Sequence, residues 1–344
     1  MARSVEVVGP ITENLRQHRL EVMDSLSPLV GSLAKKQLLD PRTAWQPSRY
    51  IPEITEPGEV NEQMTLLRKE AQGLPKATAL VVISGLITEE GLPMFTAKIG
   101  KSAPVKLDEA EEQLAPWEIW GRGWAAEERR HGQVLRGWME MSGLFNRDAI
   151  ERDLHKYLLS GFDPKFKGDP YFGEFYATGQ ERATQLVHGG TSKDSKTHGS
   201  SHLFRIGGAL SGDEGRHHGF YLPVGQAIFD IDPQGATGSF HRLIVDGLDM
   251  PGSSMEGFNL VKEATTLSGI YGIDGYAKVF GEMVRDFNLE KIPLVGEADK
   301  QRHDIFRRLK IIQHQAERRE SRDKTDLLKQ LNLRAAQSPW FKAA

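Results

Sequence analysis

Two short segments of the sequence constrain the possible fold more than any other feature. Each carries a glutamate followed three residues later by a histidine: Glu128 and His131 in one segment, Glu214 and His217 in the other. Residues three apart share one face of an α-helix, so each pair can direct two ligands at one metal ion. One such pair arises easily by chance on a solvated helix. Two matched pairs favour a metal site built between helices.

A helix with its own candidate carboxylate precedes each pair. Glu89 or its neighbour Glu90 lies before the first pair, and Glu181 lies before the second. One glutamate from each of two helices, with a Glu-x-x-His from each of two others, is the ligand set of ferritin-like di-iron carboxylate bundles. The helical period does not decide between Glu89 and Glu90. The pattern predicts an all-α protein with a ferritin-like four-helix bundle core and additional helices.

Composition and charge also favour iron in such a site. The chain has no cysteine, so any metal must be held by His, Asp and Glu, which suits iron or manganese. Two ferrous ions would offset the charge of four glutamates, which would be too costly to bury without compensation. Glu89 alone could belong to a solvated surface. Its helix is largely apolar from Ala77 to Ile87, however, which favours a buried carboxylate with a partner.

Two further acids are candidates for hydrogen bonds to the histidines. Glu127 and Asp213 each directly precede a motif glutamate. A metal-bound histidine usually donates its other ring N–H to a carboxylate. We therefore expect Asp213 to pair with His131, and Glu127 with His217, across the bundle. The alternative for either acid is exposure to solvent.

Other aromatic and histidine residues have more ordinary interpretations. Three tryptophans at helical spacing lead into Glu128 and are interpreted as core packing rather than as an electron path: Trp117, Trp120 and Trp124. Four histidines have no matched partner spacing and are predicted to be structural or exposed rather than ligands: His188, His198, His202 and His218.

Hydrophobic periodicity predicts helices over most of the chain, with little strand-like alternation. The predicted ranges are 11–37, 60–73, 78–100, 110–142, 147–159, 171–199, 201–230, 236–248, 259–286 and 297–333. Because no long linker or repeat divides them, residues 1–344 are predicted to form a single helical domain. Its ligand-bearing bundle spans about 60–230, with an N-terminal helix at 11–37 and a C-terminal helical arm at about 294–333.

Bulk properties argue against several classes of function. The formal net charge of −3 gives no electrostatic case for binding nucleic acid. The longest apolar stretch, residues 79–87, is far shorter than the roughly 20 residues that cross a bilayer, so membrane insertion is not expected. The first residues lack the pattern of a secretory or organelle signal. The expected location is cytoplasmic, or the chain is already processed.

Five segments, in order along the chain, resemble one known family. They are Thr43-Ala-Trp-Gln-Pro, Ile87-Thr-Glu-Glu-Gly-Leu-Pro, Trp124-Ala-Ala-Glu-Glu-Arg-Arg-His-Gly, Gln180-Glu-Arg-Ala-Thr and Asp213-Glu-Gly-Arg-His. The chain resembles the soluble stearoyl-acyl-carrier-protein desaturases of plastids and some bacteria over about residues 40–320. This resemblance selects Glu89 rather than Glu90 as the ligand.

The resemblance implies a fold and an activity. It implies a homodimeric helical bundle whose two iron ions, cycling between Fe2+ and Fe3+, receive electrons from ferredoxin. With O2 as co-substrate, the enzyme would introduce a cis double bond into an acyl chain carried by acyl carrier protein. The implied metal ligands are Glu89, Glu128, His131, Glu181, Glu214 and His217.

The resemblance also implies roles for two residues near these ligands. Thr184 lies one turn beyond Glu181 and would face the oxygen pocket, where its hydroxyl can steer a proton. Trp45 would join Asp213 and His131 in a hydrogen-bonded route for electrons.

Two segments bear on substrate recognition. Acyl carrier protein is strongly acidic and requires a basic docking surface. The C-terminal arm offers Arg302, Arg307, Arg308, Lys310, Arg318, Arg319 and Arg322, although a solvated helix balanced by Glu317, Glu320 and Asp323 is the alternative. Lys98 departs from the family pattern. If it points into the acyl tunnel, a long hydrocarbon chain would leave its ammonium group without water, so the substrate must be shorter or polar. If it points outward, this expectation about the substrate does not change.

Two other functions use the same kind of site. A di-iron hydroxylase or oxygenase acting on a carrier-bound specialised metabolite would need only small changes around the pocket. Ferritin-like iron storage would instead require shell assembly and far more iron per chain. The length of the chain and the five matched segments disfavour storage.

Overall fold

The computed structural model describes residues 11–53, 61–91, 114–320 and 324–342, apart from the side chains of residues 319 and 320. These residues form thirteen α-helices and two 3-10 helices, at Pro47–Arg49 and Pro251–Ser254. The first seven α-helices are α1 (Glu13–Ser25), α2 (Ser27–Gln37), α3 (Glu62–Gln72), α4 (Lys76–Glu90), α5 (Pro116–Ser142), α6 (Arg147–Ser160) and α7 (Pro170–Thr197). The other six are α8 (Ser201–Ile231), α9 (Pro233–Asp246), α10 (Phe258–Leu267), α11 (Ile273–Asp286), α12 (Gly296–Glu320) and α13 (Thr325–Ala336).

Helices α4, α5, α7 and α8 form the predicted four-helix bundle, and α7 packs along most of α8. Local sequence signals begin and end these helices. The Asp169 carboxylate caps α7 by accepting from the backbone N–H groups of Tyr171 and Phe172. Helix α4 ends at Gly91, where an added Cβ would lie 2.4 Å from the Tyr157 ring. Only glycine therefore fits at this end of the helix.

Pro223 lies inside α8, one and a half turns beyond His217. Proline has no N–H, so the carbonyl of Gly219 loses its usual helical donor. The side-chain amide of Gln37 donates to this carbonyl at 3.3 Å. Helix α2 therefore supplies the hydrogen bond that α8 lacks next to the candidate site.

Apolar side chains form two clusters on opposite sides of the bundle's middle. The aromatic core contains the first half of α5, the start of α7 and the end of α8, with Trp117, Trp120, Phe175, Phe220 and Phe229. The aliphatic core contains α4, the second half of α5 and the start of α8, with Leu80, Ile83, Leu135, Ile206 and Leu210. The candidate metal residues lie where the two cores meet.

Three predicted helices are each two helices in the structure. The range 11–37 breaks at Leu26 because Pro28, in the first turn of α2, cannot donate a backbone hydrogen bond. The range 259–286 breaks after Leu267, where Gly269 adopts a left-handed φ of +74°. The predicted C-terminal arm comprises α12, which packs on α9 and α11, and α13, which packs on α4 and α10.

The described segments contain no strand, only an isolated antiparallel bridge between Phe145 and Phe341. Within the same segments, no single helix is long and apolar enough to cross a membrane. Helices α3 and α4 reach that hydropathy only when taken together, and they are bent by 114° relative to each other.

Candidate metal centre

All six candidate ligands face the interior of the bundle. Glu128 and His131 lie in the middle of α5, Glu181 lies in α7, and Glu214 and His217 lie in α8, all buried. Glu89 lies in the last turn of α4, and its side chain is 9% exposed. The neighbouring Glu90 instead turns to Arg136 and pairs with its guanidinium. The local packing thus places Glu89 in the cluster and Glu90 outside it.

The ligand atoms form two overlapping groups, in each of which they lie within 4.8 Å of one another. The first half-site consists of Glu89 and His131, and the second half-site consists of Glu181 and His217. Glu128 and Glu214 belong to both groups. The cluster thus has two shared carboxylates, and each side adds one glutamate and one histidine. This is the arrangement expected for two metal ions.

Glu128 spans the two half-sites most closely. Its Oε2 lies 3.1 Å from His131 Nδ1, and its Oε1 lies 2.8 Å from His217 Nδ1. Glu214 makes longer contacts of the same kind, with Oε1 3.4 Å from His131 Nδ1 and Oε2 4.0 Å from His217 Nδ1. Both histidines therefore direct Nδ1 at the centre of the cluster.

The atoms at this centre do not satisfy one another by hydrogen bonds. His131 Nδ1, His217 Nδ1, Glu128 Oε1 and Glu181 Oε2 are buried and have no hydrogen-bond partner of acceptable geometry among the described residues. Buried polar atoms are normally paired. Lone pairs that converge without pairing fit metal cations, and carboxylate and imidazole donors suit iron. The residues present therefore fit a di-iron centre.

In the metal-free protein, protons offset part of the negative charge of the clustered carboxylates. Burial and the nearby Glu128 raise the pKa of Glu89 to about 7. Burial also raises the pKa of Glu181 well above its ordinary value, and Glu214 adds to this effect. Burial lowers the pKa of His131, but Glu128 and Asp213 outweigh it and raise that pKa well above its ordinary value. The cluster attracts positive charge, which two metal ions would supply in place of protons.

Both predicted acid–histidine contacts across the bundle are present. His131 Nε2 lies 3.2 Å from Asp213 Oδ2, and His217 Nε2 lies 3.3 Å from Glu127 Oε2. When Nδ1 faces a metal, Nε2 carries the proton and donates it to such a carboxylate. Glu127 also accepts from the backbone N–H of Leu39 at 2.6 Å. These contacts orient both imidazole rings.

Trp45 joins the Asp213 side of the cluster, where the resemblance placed it. Its indole Nε1 donates to the Asp213 carboxylate at 3.1–3.2 Å. The indole ring lies parallel to the His131 ring, with centroids 6.2 Å apart and planes 3° apart. Because Trp45 is only half-buried, it connects the buried cluster with the surface.

Thr184 lies beside the shared carboxylate Glu214. Its hydroxyl is 2.8 Å from Glu214 Oε2, and it is also within reach of the carbonyls of Gln180 at 3.0 Å and Glu181 at 3.1 Å. Since the hydroxyl has one proton, it donates to one of these acceptors at a time. Thr184 can thus deliver or withdraw a hydrogen bond at the cluster.

A cavity of about 570 Å³ reaches the cluster from one side. Its volume lies in the range of small-molecule binding sites. Glu89, Glu128, Glu214 and Thr184 line its inner end, and the exposed Lys262 lies at its outer edge. Much of the wall between them is apolar, including Val81, Val187, Leu248, Met250, Met255, Phe258 and Val261.

A family model described as fatty acid desaturase matches residues 18–335, which include all six candidate ligands. The chain belongs to the fatty acid desaturase family. The chloroplastic stearoyl-[acyl-carrier-protein] 9-desaturase of Olea europaea is 32% identical over 302 residues, covering 86% of this chain and 77% of that protein. The chloroplastic stearoyl-[acyl-carrier-protein] 9-desaturase 2 of Arabidopsis thaliana is 30% identical over 293 residues, which cover 83% of this chain and 71% of that protein.

One solved structure shares the fold of this chain. It is DesA2 of Mycobacterium tuberculosis H37Rv, a protein assigned as an acyl-ACP desaturase. The two superpose with a TM-score of 0.54 over 82% of this chain and 99% of DesA2, at 16% identity. The ferritin-like helical fold predicted from the sequence is therefore confirmed.

Sequence reasoning missed two arginines of this desaturase that contact Asp213 and Glu127, the two outer acids of the cluster. Arg216 donates to Asp213 at 2.8 Å and to Glu127 at 2.5 Å. Arg130 Nη2 lies 3.5 Å from Asp213 and 3.8 Å from Glu127. A signal was present, because an arginine directly precedes the histidine in both motifs. Burial would raise the pKa of both acids, but His131 and Arg216 lower the pKa of Asp213, and His217, the Leu39 N–H and Arg216 lower the pKa of Glu127.

Sequence reasoning also missed His188, which lies at the cluster rather than in an ordinary structural position. It is buried, lines the cavity, and directs Nε2 at Glu89 Oε1 over 3.2 Å. The other three histidines are structural or exposed as predicted: His198 bonds within its own helix end, His202 bonds to Glu70, and His218 bonds to the Thr178 carbonyl. All three tryptophans of the α5 stripe pack in the aromatic core, as predicted.

Three arginines of the predicted basic docking surface form ion pairs within α12. Arg302 pairs with Asp299, and both Arg307 and Arg308 pair with Asp304 on the same helix. These pairs favour the alternative of a solvated, balanced helix. Lys98, Arg322 and the side chain of Arg319 lie outside the described residues.

Proposed function

We propose that the chain is an acyl-[acyl-carrier-protein] desaturase that introduces a cis double bond into a carrier-bound fatty acyl chain. One observation carries this proposal: the cavity ends on three of the clustered carboxylates, Glu89, Glu128 and Glu214. An acyl chain in the cavity would therefore touch the metal centre. The names of the matched relatives, which are stearoyl-[acyl-carrier-protein] 9-desaturases, support this substrate class.

The reaction defines what must be supplied from outside. Removal of two hydrogens from a –CH2–CH2– unit reduces O2 to two water molecules and requires two further electrons and two protons. The proposed ligands of the two iron ions are Glu89, Glu128, His131, Glu181, Glu214 and His217. When bound, the iron pair would supply the oxidising chemistry that no side chain provides.

The chain's own residues would position the substrate and handle protons. The apolar wall of the cavity would hold the hydrocarbon and exclude water from the inner end. The Thr184 hydroxyl, 2.8 Å from Glu214, would donate or accept a proton at that end. Asp213 and Glu127 would keep the two imidazole rings in the orientation that exposes Nδ1.

Electrons would enter on the side of the first half-site. Trp45 is half-buried, donates to Asp213, and lies parallel to the His131 ring. We therefore propose Trp45, Asp213 and His131 as the path from a ferredoxin-type donor. The donor itself and a homodimeric assembly are proposed from the family resemblance. Sedimentation of the purified protein tests the second of these.

The carrier protein would dock at the outer edge of the cavity. Lys262 is exposed there and has no ion-pair partner within the described part of the chain. An acidic carrier would be attracted to such an ammonium, although one exposed contact contributes little affinity. We propose this location in preference to the C-terminal arginines, because three of them pair with acids of α12.

A single-turnover experiment tests the proposed function. Iron-loaded protein is reduced anaerobically, mixed with acyl carrier proteins that bear chains of several lengths, and exposed to O2. Mass spectrometry of the released acyl groups should show the loss of two hydrogens for one preferred length. Iron-loaded protein that has not been reduced is the control and should leave every chain unchanged.

Other outcomes separate the alternatives. A gain of one oxygen atom would favour the hydroxylase function. No change in any carrier-bound chain would contradict an acyl-carrier substrate while leaving the metal centre intact. Large shells with far more iron than two per chain would favour storage.

A further inference from the structure

We propose that His188 is a positioning residue that holds the Glu89 carboxylate in the first half-site and couples its orientation to the contents of the cavity. This inference rests on the proposed di-iron function of the site. His188 lies in α7, seven residues beyond Glu181, so the two side chains share one face of the helix. From that face His188 reaches across the bundle to α4.

The contacts of His188 divide the two oxygens of Glu89 between different neighbours. His188 Nε2 lies 3.2 Å from Glu89 Oε1, while His131 Nδ1 lies 3.8 Å from Glu89 Oε2. A carboxylate with one oxygen hydrogen-bonded in this way presents the other oxygen to a metal. His188 therefore favours binding of Glu89 through a single oxygen.

The position of His188 argues for this role rather than for direct metal binding. The atoms that converge in the first half-site come from Glu89, Glu128, His131 and Glu214, and His188 is not one of them. Its distance of 3.8 Å to Glu214 Oε1 is also longer than its contact with Glu89. His188 thus acts on the metal through Glu89.

The two half-sites are unequal in this respect. Among the described residues, the only basic side chain within 4.0 Å of the Glu181 carboxylate is His217 of its own half-site. Glu89 has both His131 and His188 within that distance. The extra hydrogen bond makes the two metal positions chemically inequivalent.

His188 is also part of the cavity wall. It lines the cavity together with Glu89 and Thr184, so a bound acyl chain lies against the imidazole ring. A shift of this ring changes the hydrogen bond to Glu89 Oε1 and hence the orientation of Oε2. Substrate binding would in this way alter the geometry of one metal position before O2 reacts.

The experiment compares three variants with the wild-type enzyme. His188→Leu removes the hydrogen bond, and His188→Gln restores a donor at a similar reach. His198→Leu is the control, because His198 is exposed at the end of α7 and does not line the cavity. For each protein, the iron content, the Mössbauer spectrum of the diferrous form, kcat and KM are measured, with and without stearoyl-acyl carrier protein.

His188→Leu should keep two irons per chain but change the spectrum of one of them, even without substrate. It should no longer respond spectroscopically to stearoyl-acyl carrier protein, and kcat should fall about 10- to 100-fold with a smaller change in KM. His188→Gln should recover most of these properties, and His198→Leu should match the wild type. The substrate-free spectra test His188 even if no acyl chain is desaturated.

Two results would overturn the inference. A His188→Leu variant whose diferrous spectrum and kcat match those of the wild type would exclude a positioning role. Loss of one iron per chain from His188→Leu, with no recovery in His188→Gln, would make His188 a direct ligand instead.

Discussion

The two half-sites use the same Glu-x-x-His spacing but lie in different surroundings. The first half-site borders the cavity through Glu89 and connects with half-buried Trp45 through Asp213. The second half-site faces the aromatic core, where the Trp120 ring stands edge-on to His217 with centroids 6.0 Å apart. Neither Glu181 nor His217 lines the cavity. One half-site therefore faces the cavity and the surface, while the other packs against the aromatic core.

A repeated motif therefore does not imply equal surroundings. Identical ligand spacing arises from the helical period, which is the same in α5 and α8. The surroundings differ because aromatic rings pack against one side of the cluster and a cavity borders the other. Substitutions on the two sides of the cluster should therefore have different effects on metal binding, reduction and stability.

The largest effect is expected from the shared carboxylates. Glu128→Ala removes a group that contacts both His131 and His217, so it should abolish the binding of both metals and all activity. Glu89→Ala and Glu181→Ala should each weaken only one metal position. Iron content per chain, measured after loading and desalting, distinguishes these cases. Equal iron content in all three variants would contradict the assignment of shared and separate ligands.

The outer acids should show the next largest effect. Asp213→Asn and Glu127→Gln each leave a histidine without its carboxylate partner, which typically lowers metal affinity or activity by about 10- to 100-fold. Both should weaken iron binding in competition with a chelator. Only Asp213→Asn should also slow reduction of the centre, because only Asp213 contacts Trp45. Equal reduction rates in the two variants would remove the proposed difference between the half-sites.

Trp45→Phe tests the surface connection of the first half-site. Phenylalanine keeps an aromatic ring beside His131 but cannot donate to Asp213. Turnover with ferredoxin should slow several-fold, because the hydrogen bond that links the half-buried indole ring to Asp213 is lost. Single turnover of chemically reduced enzyme should stay near the wild-type rate. Trp120→Phe on the second half-site is the matched comparison and should leave ferredoxin-dependent turnover faster than Trp45→Phe does.

The smallest effect on activity is expected from Glu174, on the aromatic-core side. It lies seven residues before Glu181, is buried, and its Oε1 has no hydrogen-bond partner among the described residues. Burial raises the pKa of Glu174 well above its ordinary value. At a pH between the unfolded and folded pKa values of Glu174, the folded protein holds a proton that the unfolded chain has released. The contribution of Glu174 to the free energy of unfolding is therefore fully present below its unfolded pKa and is lost as pH rises through its folded pKa.

Glu174→Leu should therefore stabilise the metal-free protein at alkaline pH, by about 1–3 kcal/mol as expected for removing an unsatisfied buried polar group. Denaturant unfolding at several pH values between about 5 and 9 measures this. Glu21→Gln, which changes an exposed acid of α1, should keep the wild-type pH dependence. An unchanged pH slope in Glu174→Leu would mean that Glu174 is not the group responsible.

Local pattern was enough to find the central cluster. Glu128 and His131, and likewise Glu214 and His217, are related by a spacing within one helix, and that spacing survives any arrangement of the helices. The cross-bundle partners Asp213 and Glu127 followed from the chemistry of metal-bound histidine.

Other features depended on where the helices stop and how they pack. Periodicity merged α10 with α11, because an amphipathic pattern can continue across Gly269 while the backbone turns. The acidity of acyl carrier protein suggested the C-terminal arginines as a docking surface, with a solvated, balanced helix as the alternative, and three of these arginines pair with acids on α12. A one-dimensional pattern does not record which side chains are already used by their neighbours.

By itself, the sequence determined the helical class, the family and the paired motifs, because helical period and ligand chemistry act over a few residues. Only the tertiary structure decided that Glu90 pairs with Arg136, that Arg216 bridges the two outer acids, and that His188 reaches Glu89 from α7. These contacts join residues 46, 89 and 99 positions apart in the chain. Such contacts depend on the rotation and depth at which helices pack, which are set by the two cores together and not by any one segment.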